Sequence, residues 1–299
     1  MNIVVASGKG GTGKTSIAVN LAVLIAQYQL PASIYFMDCD IEAPNAALFL
    51  HPTIQTTKNL ETLIPEIDPS KCSHCGLCAQ VCQFHALIVL DEQVIQFSEL
   101  CHSCGSCSLI CPLHAISEKP IVLGKIEKGM VNNLHFLQGV MNIGRSSPVG
   151  IINRMFEELF SDNSEDLQNS ICIIDAPPGV SCPVVASLQS ADLVILVAEP
   201  TPFGLHDLRL AVQLVREELK IPFAVILNKD GAGDSGIEDF CRENTIPIIQ
   251  HLPYSRRIAE IYAEGNLLVE KDSVFKDCFL NIWKEISLIL DEIPLESDR

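Results

Sequence analysis

No stretch of this 299-residue chain stays apolar over the roughly 20 residues that a membrane-spanning helix needs, so its positive mean hydropathy points to buried strands. Nor does the start read as a secretory leader; a first strand is expected there. The opening MNIVVASGKGG has no basic segment before an apolar core and no small-residue cleavage site, because glycines and Lys9 interrupt the apolar run almost at once. Positive charge is also scarce: 20 Lys and Arg stand against 37 Asp and Glu, a formal net charge of −17. Broad nucleic-acid binding needs clustered cations to neutralise phosphates, and this balance argues against it. Any bound anion must then be held by a local device. The expectation is a soluble, cytoplasmic protein whose partners include neither membrane nor nucleic acid.

Cysteine, by contrast, is abundant: thirteen residues, an odd number, in a chain long enough to bury a core without disulfides. Eight of them crowd into residues 72–111 at spacings too close for loop-closing bridges, which suits a reducing compartment. Outside that region short Val/Ile/Leu-rich runs alternate with helical stretches, the pattern of βαβ units and a mostly parallel, doubly wound sheet. Strands are predicted at 2–7, 33–38, 135–140, 171–175, 192–198, 223–228 and 247–252. Helices are predicted at 14–28, 148–160, 183–189, 205–219, 235–242, 255–263 and 273–290. The last is amphipathic, with Phe275, Phe279, Ile282, Trp283 and Ile286, but carries little basic charge and is expected to pack on the sheet.

Between 62 and 118 the alternation stops. There C-x-x-C-G-x-C-x-x-x-C-x-x-H-A occurs twice, 29 residues apart, aligning Cys72 on Cys101. The predicted organisation is an α/β domain in two parts, 1–61 and 119–299, with residues 62–118 inserted. IVLGKIEKG, 121–129, reads as an extended return into the sheet, with Gly124 and Gly129 at turn or bulge positions.

GKGGTGKT, Gly8–Thr15, fits the phosphate-loop pattern G-x-x-x-x-G-K-[ST] and lies between an apolar strand and a helix, where the pattern has mechanical meaning. Gly8, Gly10, Gly11, Thr12 and Gly13 let successive backbone N–H groups turn inward around phosphate oxygens, and the helix N-terminus adds partial positive charge. Lys14 is expected to reach the β- and γ-phosphates and the Thr15 hydroxyl to ligate Mg²⁺. An ordinary glycine-rich turn is the bland alternative. Two acidic segments at strand ends weigh against it: MDCD (37–40) with Asp38 and Asp40, and IIDAPPG (173–179) with Asp175. Each aspartate taken singly could be no more than a cap.

Cys72, Cys75, Cys78 and Cys82 form C-x₂-C-x₂-C-x₃-C, and Cys101, Cys104, Cys107 and Cys111 repeat it, with Pro112 following. This is the bacterial ferredoxin run, in which three close thiolates hold one iron–sulfur cube and the fourth serves the other. One [4Fe–4S] cluster is then assigned to Cys72, Cys75, Cys78 and Cys111, and a second to Cys101, Cys104, Cys107 and Cys82. Zinc is the alternative, since four thiolates also close a tetrahedral site, but zinc modules normally use cysteine pairs with longer spacers. Gln83 stands where the second run has proline. His74, His85, His102 and His114 read as surface residues or supports, since both thiolate sets are complete without them.

Taken together, the chain resembles the MinD/ParA/nitrogenase-iron-protein superfamily of P-loop ATPases, in the form that carries an inserted two-cluster ferredoxin-like domain. GKGGTGKT, DCDIEAPN (38–45), the two cysteine runs, DAPPGVSCP (175–183) and ADLVILVAEPTPFGLHD (191–207) follow that family's order. The resemblance implies an α/β P-loop NTPase fold with a small α+β insertion and an ATP-sandwich homodimer. It implies that Lys9 is the signature lysine reaching the partner's nucleotide, that Asp40 orients the attacking water, and that Asp175 holds Mg²⁺ through water. LNKD (227–230) is similar to the guanine-reading N-K-x-D, but Gly231 stands where the aspartate belongs. Asn228 is therefore assigned to the adenine edge, with Pro253 and Tyr254 closing over the base, and ATP is preferred to GTP.

The function expected on this basis is ATP hydrolysis, through Lys9, Lys14, Asp40 and Asp175, coupled to electron transfer to an unknown redox partner. A redox sensor, or an iron–sulfur or metalloenzyme assembly factor gated by ATP, is the alternative. Cluster carriage is disfavoured because Cys241 and Cys278 are too far apart to form a closely spaced late pair. Cys182 follows Asp175 by seven residues and reads as a free thiol near the second switch segment, in preference to the alternative that two copies bridge a third cluster through it.

Overall fold

The strand β1 (Asn2–Ala6) sends Ile3 and Val5 into one core and Val4 and Ala6 into another, so a segment with no polar face sits between two layers. The same division recurs in β9 (Leu193–Ala198), where Leu193, Ile195 and Val197 face one layer and Val194, Leu196 and Ala198 the other. These runs could not form one-sided surface strands. The computed structural model describes residues 1–28, 32–160 and 170–292.

The remaining strands are β2 (Ile34–Asp38), β3 (Thr53–Ile67), β4 (Leu87–Leu90), β5 (Gln93–Gln96), β6 (Ile116–Val131), β7 (Leu134–Met141), β8 (Ile171–Asp175), β10 (Phe223–Asp230) and β11 (Ile248–Pro253). Among the described residues nine of them form one sheet in the order β11-β10-β9-β1-β8-β2-β7-β6-β3, parallel as far as β7 and antiparallel beyond it. β4 and β5 make a separate hairpin.

One face of the sheet is covered by α1 (Lys14–Gln27), α10 (Leu268–Lys271) and α11 (Ser273–Glu292). α1 is apolar nearly all round; its one buried amide, Asn20, donates to the Ser16 carbonyl at 2.7 Å and accepts from the Val269 N–H at 3.0 Å. Phe275, Phe279, Ile282 and Ile286 of α11 are buried in this layer, as the amphipathic pattern predicts. α5 (Pro148–Phe160), α6 (Cys182–Leu188), α7 (Pro202–Val212) and α8 (Gly236–Glu243) cover the other face. α7 runs on through a π-helical turn, Gln213–Glu218, which accounts for the predicted helix at 205–219. No helix among the described residues is long and apolar enough to cross a membrane.

The sequence pattern missed β3 altogether. TIQTTKNLETLIPEI is mostly exposed and its outer edge is the edge of the sheet, so it has little of the apolar alternation that betrays a strand. It pairs with β6 over nearly its whole length, making a long ribbon that leaves the sheet and carries residues 68–115 at its far end. Positions 62 and 118, chosen from sequence as limits of the insertion, lie inside these continuous strands. Gly124 and Gly129 fall beside the two register shifts of the ribbon, where a β-carbon at Gly124 would meet the Val140 carbonyl oxygen at 2.4 Å and one at Gly129 the Thr53 oxygen at 2.5 Å.

Phe36 is fully buried on β2 and its ring stacks on Phe136 of β7 at a 6.1 Å centroid separation. Phe36→Ala should cost about 3–5 kcal/mol, seen as a lower urea midpoint with the slope unchanged.

Candidate functional site

Parallel register decides which side chains meet. β1 lies between β8 and β9, and Val5 is aligned with Asp175, which is aligned in turn with Asp38 of β2. The carboxyl ends of these strands therefore place both aspartates beneath the loop that leaves β1, the crevice where open α/β sheets bind ligands.

That loop, Gly8–Thr15, turns by left-handed backbone at Gly11 (φ 79°) and Gly13 (φ 91°), and the Ser7 hydroxyl donates to the Lys9 carbonyl at 2.7 Å. A β-carbon at Gly13 would stand 2.3 Å from Asn228 Nδ2, and one at Gly8 2.2 Å from the Asp207 carbonyl oxygen of α7. Glycine is required at Gly8 for this close approach to backbone and at Gly13 for the left-handed turn.

At the head of α1 the Lys14 ammonium donates to Asp175 Oδ1 at 2.9 Å and the Thr15 hydroxyl to Asp175 Oδ2 at 2.5 Å. Asp175 is fully buried, and burial pushes its carboxyl up despite the opposing pull of Lys14 and Thr15. Asp38, also fully buried, accepts the backbone N–H groups of Asp40 (3.0 Å), Asn45 (3.2 Å) and Ala46 (3.1 Å). Burial first, and the neighbouring Asp175 second, push its pKa to about 7. Asp40 is partly buried, and burial raises its carboxyl too.

A cavity of about 380 Å³ opens above this cluster. Gly10 to Ser16 form its floor, Asp40, Asn45 and Pro178 one wall, and Asn228, Lys229, Pro253 and Tyr254 the other. α9 (Arg256–Ala263) closes it with Ile258, Ala259 and Tyr262. Thr12 Oγ1 and Asn45 Oδ1 are buried in its lining without hydrogen-bond partners, so the walls hold polar groups that a ligand would satisfy. A phosphate-bearing ligand with a hard divalent cation fits this donor set.

Of the predicted site residues, Gly10, Gly11, Thr12, Gly13, Lys14, Thr15, Asp40 and Asn228 line this cavity, and Asp175 lies beneath it bound to Lys14 and Thr15. Asn228 spends its Nδ2 on the Thr12 carbonyl, 2.7 Å away, bracing the loop. Lys9 lies outside the lining and pairs with Glu199 at 3.3 Å. Glu199 also pairs with Lys229, whose ammonium donates to the Gly11 carbonyl at 3.1 Å.

Sequence reasoning missed Glu199, Lys229, Asn45 and the α9 wall. Glu199 carried a signal, since it ends the apolar run LVILVA on the same edge of the sheet as Asp175. The α9 residues carried none, because a helix adjoining a cavity looks like any other amphipathic helix.

The cysteine repeat folds as a repeat in its backbone. His74 and Ser103 (φ 55° and 56°), Gly76 and Gly105 (81° and 71°), and His85 and His114 (51° and 48°) share left-handed conformations at the 29-residue offset. Gly76 and Gly105 start the short helices α3 (Leu77–Val81) and α4 (Ser106–Ile110). Cys72, Cys75, Cys78 and Cys111 ring one hollow, and Cys82, Cys101, Cys104 and Cys107 a second. The backbone N–H groups of His74, Ala86 and Ala115 donate to the sulfurs of Cys72, Cys82 and Cys111 at 3.3–3.4 Å. Burial pushes the thiols of Cys78, Cys101 and Cys107 up, whereas the Ser106 hydroxyl beside Cys104 holds that one down.

Among the described residues no three His, Cys, Asp or Glu side chains converge tightly enough to hold a single metal ion. All thirteen cysteines are free; Cys39, Cys172 and Cys241 are buried, while Cys182 is exposed at the start of α6.

Residues 3–269 match the family model of the CobQ/CobB/MinD/ParA nucleotide binding domain. The chain belongs to this family. Two uncharacterized proteins of Methanocaldococcus jannaschii are similar over nearly the whole length, one 31% identical over 96% of both chains, the other 30% identical over 89% of this chain and 90% of its own. An iron–sulfur cluster carrier protein of Aquifex aeolicus is 22% identical over 97% of this chain and 68% of its own. Among solved structures, the septum site-determining protein MinD of Pyrococcus horikoshii, complexed with Mg-ADP, superposes with a TM-score of 0.58 at 18% identity, covering 98% of this chain and 99% of that one. The cell division ATPase MinD of Pyrococcus furiosus gives 0.57 at 18% identity, covering 96% and 98%.

Family membership assigns nucleotide binding to this chain, and the cavity over Lys14 is where its geometry admits one. Because folding raises the Asp38 carboxyl from 3.8 to about 7, the ligand-free folded chain binds more protons than the unfolded chain between those values. Its stability should therefore fall as pH rises from about 4 to about 7. Urea midpoints measured across that range should slope less steeply in Asp38→Asn.

Proposed function

We propose that this chain hydrolyses Mg-ATP as a homodimer and couples that cycle to electron transfer through two [4Fe–4S] clusters. One observation carries the reading: two complete four-cysteine rings stand at the tip of a ribbon that begins where the nucleotide cavity ends. From Asp40 and Asn45 in the cavity wall the chain runs through α2 (Ala47–Leu50) straight into β3, and β6 returns from the cysteine rings to pair with β7 beside β2. A shift of the Asp40 segment on nucleotide turnover would therefore reach the rings along covalent chain and paired strands.

In this reading Lys14 and the loop N–H groups hold the β- and γ-phosphates, Thr15 and Asp175 serve the metal, and Asp40 orients the attacking water. The Lys14–Asp175 pair must open for this, and a bound metal would replace the ammonium as the carboxylate's partner. Lys9, placed outside its own cavity, is assigned to the partner subunit's nucleotide. The preference for adenine rests on Gly231 standing in place of a guanine-reading aspartate. The rings supply thiolates for the clusters, which carry single electrons when bound.

A second reading, an assembly or carrier factor gated by ATP, draws on the distant similarity to an iron–sulfur cluster carrier protein. Against it, Cys241 is buried and lies 37 residues from Cys278, so the chain has no close late pair from which a cluster could be handed on.

Lys14→Ala should reduce ATP hydrolysis by at least about 100-fold while anaerobically purified protein keeps about eight irons per chain, four for each ring. Zinc in place of iron would sink the redox half of the reading. Transfer of intact clusters to an apo-protein, with no ATP effect on electron delivery, would favour the carrier.

A further inference from the structure

We propose that Glu118 makes the two cysteine rings electronically unequal, giving the cluster held by Cys82, Cys101, Cys104 and Cys107 the lower reduction potential. This rests on the two-cluster reading above. The 29-residue repeat allows the hollows to be compared position by position. Where the first hollow is lined by Val89, the second is lined by Glu118, and where the first has Leu77 the second has Ser106. No acidic side chain lines the first hollow.

Glu118 Oε1 lies 3.5 Å from the Ser108 hydroxyl and would stand 3.3 Å from a β-carbon on Gly105, so the carboxylate rests on the turn that presents Cys104 and Cys107. Among the described residues no cation pairs with it, whereas the adjacent Lys119 is engaged by Glu66. Reduction adds a negative charge to a cluster, and a carboxylate at its wall opposes that addition.

Hydrogen bonds at sulfur act against Glu118, because donors to a thiolate favour the reduced cluster. Donors at sulfur are more numerous in the second ring: the first has the His74, Ala79 and Ala115 N–H groups at Cys72, Cys78 and Cys111, while the second has the Ala86 and Ser103 N–H groups at Cys82 and Cys101 and both the hydroxyls and N–H groups of Ser106 and Ser108 at Cys104 and Cys107. Each ring has one exposed cysteine, Cys75 or Cys104. Glu118 sets a full charge, weakened by solvent because it is itself exposed, against these neutral dipoles, where the first ring has only the isopropyl group of Val89.

The inequality has a direction in space. The second ring is the inner one: it is lined by Leu63 and Pro65 of the ribbon, and the Cys101 carbonyl accepts from the Ser146 hydroxyl of the main domain at 3.5 Å. The first ring sits at the ribbon's end, lined by Ile67 and Ile116. A single electron delivered by a low-potential one-electron donor, with no bond or proton rearranged, would settle on the outer ring.

The test is an anaerobic redox titration of the full-length, cluster-loaded protein followed by electron paramagnetic resonance, with iron counted beforehand. Two midpoints are expected. Glu118→Val and Glu118→Gln should each raise the lower one, shifting the electron's distribution between the rings on the order of tenfold, 59 mV for one electron. Val89→Glu should instead lower the upper one. ATP hydrolysis should be unchanged in all three. About eight irons per chain with both midpoints unmoved by Glu118→Val and Glu118→Gln would overturn the proposal alone. An iron count far from eight would overturn it together with the two-cluster reading.

Discussion

The carboxylate of Asp175 organises the nucleotide end of this molecule. It is fully buried, and it is tolerable there only because Lys14 and Thr15 both donate to it. Those two side chains come from the first turn of α1, so the contact fixes the loop at the end of β1 against the end of β8. Asp38 lies in register beside it with three backbone donors of its own, and these tie down the segment from Asp40 to Ala46. The loop before α1, the Asp175 carboxylate and the segment from Asp40 to Ala46 are thus one electrostatic unit. In the proposed cycle its balance would change as a phosphate and a divalent cation entered, because Lys14 and Asp175 would then each gain another partner.

The antiparallel end of the sheet gives that unit a reach it would otherwise lack. In a purely parallel doubly wound sheet each strand is followed by a helix that packs back on the same layer. Here the chain leaving the segment from Asp40 to Ala46 enters β3, which is mostly exposed, tucks Leu60 into the layer that α5 covers, and runs out beyond the sheet with β6. The cysteine rings are therefore mechanically continuous with the nucleotide cavity while keeping their own small apolar cluster, built round Cys78, Leu87 and Ile116. That cluster is small.

Much of this was legible beforehand. Buried strands announced themselves because a segment covered on both faces must be apolar throughout, and Phe275, Phe279, Ile282 and Ile286 announced a helix with one covered face. Gly8–Thr15 and the two cysteine runs were legible because their chemistry depends on spacing along the chain, which needs no tertiary knowledge. β3 was not legible, since an exposed edge strand in a ribbon is held by backbone pairing with β6, and backbone pairing leaves no mark on side-chain type. The contacts of Glu199 and Lys229 with the loop were not legible for a different reason: both residues reach it from the ends of strands far away in sequence.

The amino-acid sequence by itself determined the α/β class, the phosphate loop and two equal sets of four cysteines, because each is a local pattern of residue type and interval. Only the tertiary structure decided that Asp38 and Asp175 lie side by side, that Lys9 turns to Glu199, and that one cysteine ring faces Glu118 while the other faces Val89. These depend on strand order and register, and on where a ribbon folds its end over. They are long-range contacts, chosen by which apolar faces and backbone edges find partners, and no interval along the chain encodes them.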